Sequence, residues 1–180
     1  MDTLTAIFTR HSTRAFGAKR VSDADLRRVL AAGMSAPVGR SRYDTLHLSV
    51  IRNASLIEDL QTYAKSVLPP QSRPDAPLYN CNTLILVSSA MQSDAPAIEY
   101  ANVGAVMTNM AVASTALGID SIWLWGFLRV LSPELIARLG LPAGHVPISA
   151  LGIGYAADSQ GVAATEFSKP RHAIDVTYLD

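Results

Sequence analysis

The chain has 180 residues and no net charge, because its 15 lysines and arginines balance its 15 aspartates and glutamates. This length predicts a single domain over residues 1–180, large enough to bury a full hydrophobic core. A hydrophobic content of 49% excludes a disordered protein, and the balanced charge gives no global electrostatic reason to bind nucleic acid.

The first part of the chain alternates predicted helices with one strand. Apolar spacing predicts a short helix over Thr3–Thr9 and a second helix that Ser22 caps. Alternation over Thr45–Ile51, with leucine and valine on one side, predicts a half-buried strand. Asn53 is placed to cap a third helix, which we expect to end before Pro69–Pro70.

A buried strand and a long apolar helix follow. The continuous apolar run Thr83–Ser89 predicts a strand buried on both faces. Pro96 opens a helix predicted to reach about Leu117, and Glu99 is its only charged residue. Because apolar and small residues lie all around this helix, we expect burial on every side, which a second copy of the chain would provide.

With the last predicted elements, the chain is expected to form a fold of the α+β class with a mixed sheet. Ser121–Gly126 is predicted to be a strand, and Ser132 caps a short helix. A strong strand is predicted over Val146–Tyr155, and Ala173–Leu179 is strand-like.

Several kinds of site are not expected. The helix after Pro96 is not interpreted as a membrane span, because Glu99, Asn102 and Asn109 would be costly in lipid. The N-terminus has no basic region followed by an apolar one, so we expect a cytoplasmic protein. The sequence contains no paired-histidine motif, so we expect no metal site. Cys81, beside a buried strand, is interpreted as a buried thiol rather than a nucleophile.

A glycine motif follows the last strand. Gly152–Ala157 matches the dinucleotide-binding pattern G-x-G-x-x-A. The helix that this motif requires does not follow, and too little chain remains to build the rest of a nucleotide-binding sheet. We therefore interpret Gly152 and Gly154 as places where the backbone passes close to another element.

The main chemical signal lies at the two ends of the chain. Two guanidiniums, an imidazole and a hydroxyl occur within five residues and can chelate an oxyanion: Arg10, His11, Ser12 and Arg14. Lys169 and Arg171 form a second basic group, whereas Pro74–Leu128 contains no lysine or arginine. This distribution suggests a phosphate site built from both ends, and ordinary solvated arginines are the alternative.

The chain resembles the FMN-dependent nitroreductase family, nearest to its oxygen-insensitive NAD(P)H nitroreductase and dihydropteridine reductase branch. Three segments carry the resemblance: RHSTRAF from Arg10, LGIDSIWLWGF from Leu117, and SKPR from Ser168. A weaker fourth segment is SAPVGR from Ser35. The resemblance implies a three-layer fold with a mixed central sheet flanked by helices, in an intertwined homodimer with FMN at the subunit interface. It also implies a C-terminal tail that wraps the neighbour.

The resemblance implies three groups of FMN contacts. The phosphate and ribityl chain would be held by Arg10, His11, Ser12, Arg14, Lys169 and Arg171. The flavin ring would lie along Leu124, Trp125 and Gly126. Its opposite side would face the partner's Pro37, Val38, Gly39 and Ser41. The sequence departs from the family at Ser41 and Thr45, which replace an asparagine and a tryptophan, and at Trp125, which replaces a small or acidic residue.

The implied function is a ping-pong oxidoreductase. NAD(P)H would reduce FMN, and a nitroaromatic, quinone or similar small acceptor would then take the hydride. The cofactor supplies the chemistry, so we assign no catalytic acid or base. Glu99 is either a buried base or a capping or interface residue.

Three alternatives remain open from the sequence. The first is a non-catalytic flavin-binding protein. The second is an enzyme of the same fold that carries out dehydrogenation or dehalogenation. The third is a nucleic-acid or phospho-ligand module that uses the arginine cluster, although we expect neither nucleic-acid nor membrane partners.

Overall fold

A computed structural model describes residues 1–70, 74–91, 95–158 and 174–179. Within them lie five α-helices: α1 (Thr3–Thr9), α2 (Asp23–Met34), α3 (Ala54–Val67), α4 (Pro96–Ala116) and α5 (Pro133–Ala137). The same residues form four strands: β1 (Leu46–Ile51), β2 (Thr83–Ser89), β3 (Asp120–Leu124) and β4 (Val146–Gly154). Short 3₁₀ turns occupy residues 39–41, 43–45 and 126–130.

Local signals in the sequence set where the helices begin and end. Ser22, Asn53 and Ser132 each accept a hydrogen bond from the backbone N–H three residues on, at 3.0 to 3.4 Å. Pro96 is the first residue of α4, and Gly118, with φ of 70°, follows its end. The predicted bounds of these helices are confirmed to within a few residues.

The sheet has the order β1-β2-β4-β3, and every pairing among the described residues is antiparallel. The α+β class is confirmed, and the four strands of the described residues form an antiparallel sheet. In the pairing of β1 with β2, Leu84 near the start of β2 lies opposite Ile51 at the end of β1.

The sheet separates two apolar layers. On one face, Leu84 and Leu86 of β2 pack in a cluster with Leu60 of α3. On the other face, Ile85 and Val87 belong to a cluster formed with α2 and α4. The alternating side chains of one fully buried strand therefore support helices on both sides, which gives three layers.

Two edge features differ from the sequence prediction. Val50 was expected to face the core but is 38% exposed, whereas Ser49 is buried and donates a hydrogen bond to the Gly140 carbonyl at 3.2 Å. The strand-like tail is not a strand over residues 174–179, because a strand needs a hydrogen-bonded neighbour and this segment pairs with none of the described chain. Ala173 lies outside the described residues.

One face of α4 is open in the protomer. Met107 and Met110 are buried in the cluster that α4 forms with α2 and the sheet, but Tyr100, Ala101 and Thr108 on the other side are exposed. Burial on every side is therefore not achieved within one protomer. None of the helices in the described ranges is sufficiently long and apolar to span a bilayer.

Candidate functional site

The residues just before α2 cross the ends of two strands. We call residues 13–17 the N-terminal strap. The Thr13 N–H donates to the Ser121 carbonyl at 3.0 Å, and the Gly17 N–H donates to the Tyr155 carbonyl at 2.8 Å. Phe16 is 5% exposed and bridges to Ala156. The buried ring therefore fixes the strap over the start of β3 and the end of β4.

The two glycines of the last strand have a packing role, as the sequence predicted. A Cβ at Gly154 would lie 2.9 Å from Phe16 Cδ1, and a Cβ at Gly152 would lie 3.0 Å from Cys81 Sγ. Both distances are too short for a side chain to be added without movement of a neighbour. Residues 155–158 form a bridge and bends rather than the helix that a dinucleotide motif needs.

Asp120 is the anchor of the strap, and sequence reasoning missed it. Its Oδ1 accepts a hydrogen bond from the Thr13 hydroxyl at 3.1 Å and lies 3.5 Å from His11 Nε2. Its Oδ2 accepts the Ala156 N–H at 2.9 Å. One carboxylate thus joins the N-terminal residues, β3 and the chain that follows β4. An acid at the first position of a strand was the available signal, but its partners lie far away in sequence.

The predicted anion ligands near the N-terminus do not all face outward. The His11 ring has Nδ1 3.2 Å from the Thr9 carbonyl and Nε2 close to Asp120 and Thr13, so both nitrogens have partners within the fold. Arg10 and Ser12 are half-buried, and Arg14 is exposed. No carboxylate of the described residues forms an ion pair with Arg10 or Arg14. Two guanidiniums without an acidic partner are suited to bind an anion.

Lys169 and Arg171 lie outside the described residues, so their meeting with the N-terminal arginines stays a prediction. The described chain gives partial support, because the Ala157 N–H donates to the Ala15 carbonyl at 3.0 Å. The segment that leads to Lys169 therefore starts beside the N-terminal strap.

Leu124, Trp125 and Gly126 lie at the other end of β3. Four residues of strand separate Ser121 from Trp125, which corresponds to about 13 Å. A cavity of about 510 Å³ lies beside this turn. Its walls are mainly apolar and include Pro69, Pro77, Tyr79, Trp123, Leu124, Trp125, Gly126 and Phe127. The Gly126 N–H forms no hydrogen bond within the described chain, which leaves a backbone donor at the cavity wall.

Trp125 is the most exposed aromatic residue at this turn. It is 54% exposed and also borders a second cavity, of about 390 Å³, together with Tyr100 and Gly104 of α4. The guanidinium carbon of Arg129 lies 4.8 Å from the centroid of its ring, which is a cation–π contact. The indole therefore borders both cavities and carries a cation on one face.

The segment expected to contact the ring from a partner subunit lies elsewhere in the protomer. Pro37, Gly39 and Ser41 are exposed and Val38 is half-buried. None of the four borders either cavity at Trp125. One protomer therefore does not bring residues 37–41 to the turn after β3.

Two further sequence interpretations can be compared with the structure. Cys81 is 1% exposed, and burial raises the pKa of its thiol to about 12 from an ordinary value of 9.0, which confirms a buried, unreactive thiol. Glu99 does not cap α4, whose N-terminal cap has no side-chain hydrogen bond. It is instead completely buried inside the protomer, so its side chain does not lie on the exposed face of α4.

The chain belongs to the nitroreductase family, whose model matches residues 7–155. A curated protein of Archaeoglobus fulgidus, provisionally named NADH dehydrogenase/NAD(P)H nitroreductase, is 25% identical over 161 residues, which cover 88% of each chain. A nitroreductase with bound FMN from Bacteroides fragilis is 25% identical, with a TM-score of 0.80, and the match covers 99% of this chain and 100% of that one. A second FMN-bound nitroreductase, from Desulfitobacterium hafniense, has a TM-score of 0.81 at 24% identity and complete coverage of both chains. These matches confirm the family and the fold inferred from the sequence.

Proposed function

We propose that the protein is a homodimeric, FMN-dependent oxidoreductase that takes hydride from NAD(P)H and delivers it to a small organic acceptor such as a nitroaromatic or a quinone. The observation that carries the proposal is the pair of features at opposite ends of β3. At its start lie arginines that have no acidic partner among the described residues, and at its end lies an apolar cavity beside a backbone N–H that the described chain leaves unpaired.

The start of β3 fits the phosphate of FMN. Arg10 and Arg14 offer charged, multidentate donors, and the Ser12 hydroxyl adds a short one. His11 holds this segment against Asp120, so its contribution is to orient its neighbours. Lys169 and Arg171 are proposed to complete the phosphate site from the C-terminal side.

The end of β3 fits the flavin ring. Leu124 and Trp125 offer a flat apolar wall, and the Gly126 N–H supplies a donor for the polar edge of the ring. Bound FMN would supply the hydride chemistry. The protein would place the ring, exclude water from one side of it and leave the other side open for a planar acceptor.

Two features favour a homodimer. Residues 37–41 do not reach the turn after β3 within one protomer, and the α4 face with Tyr100, Ala101 and Thr108 is exposed. A second copy that covers this face would also bring its own residues 37–41 to the ring, so that each site needs both subunits.

The decisive experiment is the visible spectrum of the purified protein, followed by anaerobic addition of NADH or NADPH. We expect flavin bands that are released as FMN on denaturation and bleached by at least one of the two nicotinamides. A flavin that dithionite bleaches and neither nicotinamide does would indicate a non-catalytic flavin-binding protein. A colourless protein that cannot be reconstituted with FMN would refute the proposal.

A paired variant tests the phosphate assignment. Arg10→Ala with Lys169→Ala should give protein that copurifies without flavin and unfolds at lower temperature, because ligand binding contributes to stability. The matched control is Arg27→Ala with Arg28→Ala, which removes two exposed arginines from α2. Wild-type flavin content in the first double variant would show that the phosphate lies elsewhere.

A further inference from the structure

Glu99 is a fully buried acid beside two hydroxyls. Its exposure is 0%, and its Oε2 accepts a hydrogen bond from the Ser89 hydroxyl at 3.0 Å. The same oxygen lies 3.0 Å from the Thr45 hydroxyl, whose single proton is shared with the Arg42 carbonyl at 2.8 Å. Its Oε1 has no hydrogen-bond partner among the described residues. Leaving a carboxylate oxygen buried and unpaired is unfavourable, so a role in stability alone is a poor explanation for this residue.

Asn102 lies one turn further along the same side of α4 and holds the same segment of chain. It is 3% exposed, and its Oδ1 accepts the Gly39 N–H at 2.7 Å. Its Nδ2 also lacks a partner within the described chain. A Cβ at Gly39 would lie 3.3 Å from Asn102 Oδ1, so the backbone approaches this side chain closely.

The segment between these two contacts has an unfavourable backbone. Arg40 and Ser41 have φ of 58° and 54°, in the left-handed region that non-glycine residues rarely adopt. Such conformations persist where surrounding contacts impose them, and they concentrate at ligand-binding sites. Asn102 fixes the segment just before the strained pair and Glu99 fixes it just after, through Thr45.

We propose that Glu99 and Asn102 are positioning residues that hold residues 39–45 in the shape in which Gly39 and Ser41 meet the flavin of the partner subunit. The proposal rests on the proposed function for the presence of that flavin. The proposal goes beyond that function because it assigns the shape of residues 39–45 to two buried side chains of α4 that touch neither cofactor nor acceptor.

Asn102→Leu is the main test, and Asn109→Leu is its matched control. Asn109 is also on α4 and also makes a side-chain hydrogen bond to backbone. Its partner is in α2 instead, because its partly buried Nδ2 donates to the Ala32 carbonyl at 3.1 Å. In Asn102→Leu we expect hydrogen exchange at the Gly39 amide to be faster by roughly 5- to 10-fold, the range that one hydrogen bond supports. The control should leave Gly39 exchange unchanged.

The holoenzyme provides readouts that a purely structural role would not move. With Asn102→Leu we expect a several-fold higher KM for the acceptor, a smaller change in kcat, an altered flavin spectrum and wild-type FMN content, because the phosphate site is untouched. Glu99→Leu should behave similarly. Glu99→Gln keeps an oxygen for the two hydroxyls and should restore most of the wild-type KM. Thr45→Val gives a milder test if the leucine variants fail to fold.

The two levels of the proposal fail separately. Exchange at Gly39 is measured on protein without added cofactor, and an unchanged rate in Asn102→Leu would overturn the positioning role whatever the protein binds. Equal shifts of KM and flavin spectrum in Asn102→Leu and Asn109→Leu would overturn it as well. A wild-type protein that binds no FMN would instead refute the proposed function.

Discussion

Replacing Asp120 by alanine should loosen both ends of the chain at once. The substitution removes the acceptor for the Ala156 N–H and the acceptor for the Thr13 hydroxyl, together with the contact to His11. The side chain is 24% exposed, so water replaces these partners only in part. With about 1 kcal/mol for each of the two hydrogen bonds, we expect a loss of about 2 kcal/mol in the free energy of unfolding.

Thermal unfolding gives the measurement. A loss of about 2 kcal/mol in a chain of this size corresponds to a Tm lower by roughly 4–8 °C. Because the N-terminal strap orients Arg10 and Ser12, FMN affinity should also fall in Asp120→Ala. The control is Asp59→Ala, which removes a half-exposed ion pair with Arg138 and should cost well under about 1 kcal/mol. Equal Tm values for Asp120→Ala and the control would refute the reasoning.

Three further predictions concern packing, titration and assembly. Gly154→Ala should cost about 1–3 kcal/mol and weaken FMN binding, measured by thermal unfolding and cofactor titration, because its Cβ would displace Phe16. Cys81 should resist thiol reagents at pH 8 until the protein is unfolded. Burial raises the pKa of this thiol to about 12, so the stability that the neutral buried thiol contributes is complete below pH 9 and is lost as pH rises toward 12. Cys81→Ala should therefore remove the fall in the free energy of unfolding between pH 9 and pH 12. Gly104→Lys, at an α4 position with no atom within 4 Å of a Cβ, should give a folded monomer without flavin in sedimentation analysis.

The sequence predicted the elements well because their signals are local. A cap, a proline and an apolar spacing lie within a few residues of each other, so the bounds of α1, α3, β2 and α4 follow from short stretches. Strand pairing depends on where long connections lead. The antiparallel pairing of β1 with β2, in which Leu84 lies opposite Ile51, therefore leaves no short-range signal in the sequence.

The candidate site was predictable only where charge or family resemblance marked it. Arg10 and Arg14 stand out by composition, and the turn at Trp125 stands out by its similarity to the family. Asp120 and Asn102 carry the contacts that place those segments, but their partners are 36 and 63 residues away. The local sequence therefore does not show which backbone groups either side chain contacts.

The position of β4 in the sheet affects how the chain is made. Among the described residues this strand is the last in sequence, yet it lies between β2 and β3 and joins them. Until it emerges from the ribosome, β1 and β2 can form a hairpin-like pair while β3 has no neighbour. The nascent protein must therefore keep α4 and one exposed strand from aggregating until its C-terminal third has been synthesised.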